Sequence, residues 1–159
     1  MYVVQSDASG SDGYGYFHSY LNATEVHYVS KRWGGTLEDS NNSMYFELRS
    51  LSDFLDETTI KDCVLLWLND NESSTHSINK GNCKDPTSRV LLSHILGQCD
   101  RLQILTIWVP REQNQFADYL SHLSTYLNRP HVYGTMAAES SEAGGKGSPE
   151  VEQQVHDEC

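Results

Sequence analysis

Four carboxylates in this 159-residue sequence stand where an acid needs a reason. Asp7 ends a short apolar run in VVQSDASG and is followed at once by Ser9 and Gly10. Glu47 falls on or beside the apolar side of a helical pattern in SMYFELRSLSDFLDE, and Asp70 closes the run CVLLWLND. Asp118 lies in WVPREQNQFADYLSH, in the first turn of a further helical pattern. Gathered in one place, such groups repel and at least one is pushed toward protonation, unless a cation neutralises them. The cation suited to an all-oxygen set is Mg2+ or Mn2+. Two such ions about 3.5–4 Å apart activate a water and stabilise the leaving oxygen of a phosphodiester. Singly, each acid has an ordinary use: Asp7 with Ser9 closes a turn, and Asp70-Asn71 makes a turn or a helix cap. The chemistry depends on the set.

Bringing them together falls to the elements around them. Tyr2–Asp7, Gly13–Tyr20 and Thr24–Ser30 are short runs bearing Val and Tyr, separated by Gly, Ser and Asn, and read as three strands of a meander. Met44, Leu48, Leu51 and Leu55 recur at helical spacing, which predicts a helix over 43–57 capped by Ser43 or Asn42. A buried strand follows in CVLLWLND, then a helix over Glu72–Lys80 stopped by Gly81, and another over Thr87–Cys99. LQILTIWVP is a last strand closed by Pro110, after which Asn114 is expected to cap a helix carrying Phe116, Leu120, Leu123 and Leu127. The order βββαβααβα predicts an α/β fold, a five-stranded mixed sheet with an antiparallel meander, parallel strands and flanking helices. Sites in such sheets lie beyond the carboxyl ends of the parallel strands, where Asp7 and Asp70 fall.

The totals narrow the classes. The length suits one core, and the formal net charge of −11 argues against gripping phosphates through bulk positive charge. No apolar run approaches the roughly 20 residues of a membrane helix, and no secretory pattern opens the chain. Cys63, Cys83, Cys99 and Cys159 form no CxxC pair, which favours a reducing, intracellular setting (cytoplasm or nucleus) over a disulfide framework or a zinc site. The seven histidines show no HxxxH or HExxH spacing. Residues 133–159, rich in Gly, Ser and Glu, read as a disordered acidic tail or linker after a domain spanning 1–132.

With those residues in view, the chain resembles the RNase H domains of retroelement reverse transcriptases, those of tyrosine-recombinase elements in particular. The resemblance spans Tyr2 to Leu127. It rests on Asp7-Ala-Ser9 with Gly13 and Gly15, on Glu47-Leu48, on Asp70-Asn71, and most specifically on WVPREQNQFADYLSH, which is similar to a WxPRxxNxxADxLSR run. It implies an RNase H-like fold and endonucleolytic cleavage of the RNA strand of RNA/DNA hybrids, leaving a 3′-hydroxyl and a 5′-phosphate. It further implies that Asp7 bridges two Mg2+ ions, with Mn2+ as a substitute. Asp118 then serves the water-activating ion, and Glu47 with Asp70 the leaving-group ion. Ser9, Asn71 and Asn114 become polar contacts to substrate or to the metal ligands. The implied partners are the hybrid and a reverse transcriptase domain of a parent polyprotein, with no membrane.

The departures from the family pattern are specific. Cellular RNases H carry a His in the loop before the last acid, and Ile107–Ala117 has none; His122 instead takes the place of the Arg in the terminal LSR. Lys80, Lys84, Arg89 and Arg111 are scattered and form no basic helix to hold a hybrid. These differences define an alternative, a non-catalytic RNase H-like scaffold or connection domain. A transposase or integrase core would end in Glu and lack the early helix acid, so Glu47 and ADYLS disfavour it.

Overall fold

The computed structural model describes residues 1–33 and 42–138. Three strands open it, β1 (Tyr2–Ala8), β2 (Gly13–Tyr20) and β3 (Glu25–Arg32), paired antiparallel in sequence as the meander pattern predicts. Helix α1 (Ser43–Glu57) begins where Asn42 Oδ1 accepts from Met44 N at 3.1 Å, which selects Asn42 over Ser43 as the cap. Strand β4 (Cys63–Asn69) then lies parallel to β1. Helix α2 (Glu72–Lys80) ends at Gly81, whose φ of 76° is the left-handed value that glycine adopts without strain.

Helix α3 (Pro86–Leu96) begins one residue earlier than its pattern suggests, capped by Asp85, and its expected last turn is a 3-10 segment over Gly97–Asp100. Strand β5 (Leu102–Trp108) runs parallel to β4 at one sheet edge. A 3-10 turn at Arg111–Gln113 leads into α4 (Gln115–Tyr126).

A sixth strand, β6 (His131–Ala137), pairs antiparallel with β3 and gives the order β5-β4-β1-β2-β3-β6. The expectation of five strands is corrected accordingly. Tyr133–Ala137, assigned to the tail by composition, belong to this strand, and residues 139–159 lie outside the described residues.

Side-chain alternation splits the sheet into two faces. On one, Tyr2, Val4, Tyr16, Leu65 and Trp67 pack with Leu48, Leu51, Phe54 and Leu55 of α1 and with Leu92 and Ile95 of α3. On the other, α4 lays Leu120 and Leu123 against Tyr28 and Val132, with Phe17 and Phe116 alongside. The close seat of α4 depends on Gly15, because a Cβ there would collide with the backbone and Cβ of Leu120. Ser30 completes the seat: its hydroxyl donates to Leu120 O and accepts from Ser124 N at 3.0 Å. Gly15 is the register partner of Asp7. The contact that fixes α4 on the sheet therefore also brings Asp118 to the end of β1.

Among the described residues, no helix is long and apolar enough to cross a membrane.

Candidate metal centre

At the carboxyl ends of β1 and β4 the side chains of Asp7, Glu47 and Asp70 converge, each offering an oxygen within 4.8 Å of the others. Asp7 shares the α4 face through its register with Gly15, whereas Glu47 comes from α1 on the opposite face and reaches around the strand end. Glu47 is held there by two bonds. Its Oε1 accepts from Ala8 N at 3.2 Å and its Oε2 accepts from Asn69 Nδ2 at 2.8 Å. The helical phase that sets Glu47 on the apolar side of α1 leaves it 4% exposed, and Asp7 is 8% exposed.

The electrostatics follow from that burial. Loss of solvent, followed by the charges of Asp70 and Asp118, pushes the Asp7 carboxyl up to about 7. Burial and then the charge of Asp7 hold Glu47 well above the ordinary carboxylate range. Asp70, half-buried, is also raised by burial, against which a bond from Asn114 and the charge of Arg111 act in the other direction. Asp118 closes the group on the exposed side, in side-chain contact with Asp7. All four acids line a single cleft of about 480 Å3, together with Ser9, Asn71, Arg111 and His122. The donor set is all oxygen at its buried end and is charged only at the expense of mutual repulsion, which fits hard divalent cations.

The remaining expected contacts are placed as follows. Ser9 closes the β1–β2 turn, its Oγ accepting from Asp12 N at 3.3 Å and its N donating to Gly13 O at 2.7 Å, while it also lines the cleft. Asn71 caps α2, its Oδ1 accepting from Ser74 N at 2.8 Å, and stands at the rim beside Ser43. Asn114 departs from expectation. It makes no side-chain cap bond on α4. Instead it is 1% exposed, accepts from Gln5 Nε2 at 2.7 Å, donates to Ser6 O at 3.2 Å and braces Asp70. Its buried amide satisfies these distant groups in place of a first-turn N–H of α4. Asn114 thus reaches Asp70, a metal-ligand candidate.

Sequence reasoning missed the residue at the centre of this bracing. Asn69, fully buried, donates to Ser6 O at 2.9 Å as well as to Glu47, and its Oδ1 accepts from Asn71 N at 2.8 Å. Trp67 Nε1 and Ser50 Oγ both donate to Ser6 Oγ, at 2.8 and 3.2 Å, and join β1, β4 and α1 beneath the acids. The available signal was an Asn ending an otherwise apolar buried strand. A polar group there must find partners.

No protein-family model and no curated protein matches the sequence. Solved structures do. The N-terminal RNase H domain of a Mycobacterium tuberculosis protein, solved as a fusion with maltose-binding protein, superposes with a TM-score of 0.56 at 21% identity, covering 75% of this chain and 94% of that one. LC11-RNase H1 in complex with an RNA/DNA hybrid gives 0.58 at 21% identity, over 76% and 93% of the two chains. LC11-RNase H1 isolated from compost by a metagenomic approach gives 0.52 at 20% identity, over 75% and 91%. The likeness establishes the fold, an RNase H-like mixed sheet flanked by helices.

Proposed function

We propose that this chain is a metal-dependent endoribonuclease that hydrolyses the RNA strand of RNA/DNA hybrids. The observation that supports it is the convergence of Asp7, Glu47 and Asp70 within 4.8 Å, with Asp118 against Asp7 across the cleft. Bound there, two divalent ions, Mg2+ or in its place Mn2+, would supply a water acidic enough to attack near neutral pH and positive charge at the departing oxygen. Asp7, flanked on one side by Glu47 and Asp70 and on the other by Asp118, is the group both ions would share. Asp118 then completes the water-activating side, and Glu47 with Asp70 the leaving-group side.

The protein's own contribution is rigidity: Asn69 fixes Glu47, Asn114 fixes Asp70, and Gly15 lets α4 carry Asp118 inward. Attack of water on phosphorus breaks the bond to the 3′ oxygen and leaves a 3′-hydroxyl and a 5′-phosphate. Ser9 and Asn71, on the rim, are assigned to polar contacts with the RNA strand, where the 2′-hydroxyl distinguishes it from DNA. Because the chain carries a net charge of −11, its hold on a polyanion requires either the bound ions or a basic partner. The partner we assign is a reverse transcriptase domain of the same polyprotein, acting in the cytoplasm or nucleus, on the strength of the WVPREQNQFADYLSH resemblance.

The test is cleavage of a labelled RNA/DNA hybrid with Mg2+ or Mn2+, beside duplex DNA, duplex RNA and a chelator control. The RNA strand of the hybrid is cut, the duplexes are not, and Asp70→Asn lowers the rate by at least about a hundredfold. Intact hybrid at every metal concentration would reject the enzyme and favour the scaffold. Equal cutting by Asp70→Asn would assign the activity to a contaminant.

A further inference from the structure

We infer that His122 is a nitrogen ligand to the divalent ion held by Asp118, oriented by Asp12, and that this shifts the site's preference from Mg2+ toward Mn2+. The inference rests on the metal-centre reading above and concerns a residue type that an all-oxygen site does not use.

His122 follows Asp118 by one helical turn on α4, so the two side chains share a face, and both line the cleft of the acids. Its two ring nitrogens are treated differently. Nδ1 lies 2.6 Å from Asp12 Oδ2. A carboxylate only accepts, so Nδ1 carries the hydrogen, and the remaining lone pair of a neutral ring is on Nε2. Nε2 stands 3.8 Å from Asp118 Oδ1. That is too long for a hydrogen bond. One ring nitrogen is held by Asp12, and the other approaches Asp118 without a hydrogen bond.

Bonds of about 2.1 Å put neighbouring donors on one ion ~3 Å apart, so Nε2 and Asp118 Oδ1, 3.8 Å apart, would close by about 0.8 Å to share one. Asp12 is itself fixed in the β1–β2 turn, its N donating to Ser9 Oγ at 3.3 Å and its O accepting from Trp33 N at 3.4 Å. Tyr126 stacks on the imidazole with centroids 5.9 Å apart. A carboxylate holding one imidazole nitrogen so that the other faces a cation is the usual support for a metal-ligating histidine. Such a ligand raises affinity for first-row transition ions and does little for Mg2+, which keeps to oxygen and water.

The test is pulsed EPR of the full chain loaded with Mn2+, with Mn2+ and Mg2+ affinities measured by calorimetry on wild type, His122→Gln and Asp12→Asn. Wild type shows 14N coupling to bound Mn2+. In His122→Gln the coupling disappears and Mn2+ affinity falls about tenfold, while Mg2+ affinity moves by less than about twofold; Asp12→Asn weakens Mn2+ binding by a smaller factor. Far-UV circular dichroism of the variants confirms that they fold, as expected for side chains at the cleft rim. Bound Mn2+ without 14N coupling, or coupling that persists in His122→Gln, would overturn the His122 assignment and leave the carboxylate site standing. No bound Mn2+ in wild type would overturn both.

Discussion

Asp7→Asn is expected to abolish the proposed hybrid cleavage and, at the same time, to make the metal-free protein more stable above neutral pH. The two effects have one origin. In the proposed site Asp7 is the carboxylate that both ions would share, and its loss would remove stabilisation of developing charge worth several kcal/mol, a fall in rate of about a thousandfold or more. Its folded-state pKa of about 7 stands above the ordinary 3.8, so the native state binds more protons than the unfolded chain between those values.

Stability of the metal-free wild type is therefore highest below about pH 4 with respect to this group, declines as pH rises toward 7, and stays low beyond it. The shift of about three units corresponds to roughly 4 kcal/mol, an upper figure because Glu47 shares the same repulsion. Urea unfolding with chelator present checks this: Asp7→Asn exceeds wild type at pH 8 and equals it near pH 4. Saturating Mn2+ should remove the advantage at pH 8 by stabilising wild type alone. A variant less stable than wild type at pH 8 without metal would contradict the picture of Asp7 as a group held against its own repulsion.

Asn69→Ala has the second large effect, and it acts through the support of the site. The substitution strips the amide from Glu47 Oε2, Ser6 O and Asn71 N in a fully buried position. Unsatisfied buried groups cost about 1–3 kcal/mol each and some relax, so a loss of about 3 kcal/mol is expected, a fall in melting temperature of roughly 10 °C. Cleavage falls as well, by about tenfold or more, because Glu47 loses the bond that aims Oε2 at the cleft. Thermal melts beside single-turnover rates separate the two losses. A variant with a melting temperature within a few degrees of wild type would show that Ser6, Trp67 and Ser50 hold the three elements without Asn69.

Much of this architecture was legible because it is written locally. The apolar spacing of Met44, Leu48, Leu51 and Leu55 marks α1 to the residue, and Glu72–Lys80 with Gly81 marks α2 equally well. The same phase that locates α1 shows Glu47 turned inward, so the most buried acid of the site could be read from helical geometry. Asp7 and Asp70 were legible as acids at strand ends. Asp118 was legible as an acid in a first helical turn just after the last strand, and the resemblance assigned its role.

What was not legible depends on distant partners. HVYGTMA carries little apolar pattern and becomes β6 because β3 offers an edge, with Gly134 placed where the Tyr28 ring leaves no room for a Cβ. Asn114 has the sequence setting of a cap, yet its amide is taken by Gln5 and Ser6, more than a hundred positions away. Asn69 looked like punctuation after a strand. Its role exists only once α1 has delivered Glu47 beside it.

The most direct test of the centre is an anomalous difference map from crystals soaked in Mn2+ at pH 8. The account predicts density for at least one ion within bonding distance of Asp7, Glu47 and Asp70. Maps showing no ion among these three side chains, with Mn2+ bound elsewhere on the protein, would contradict it.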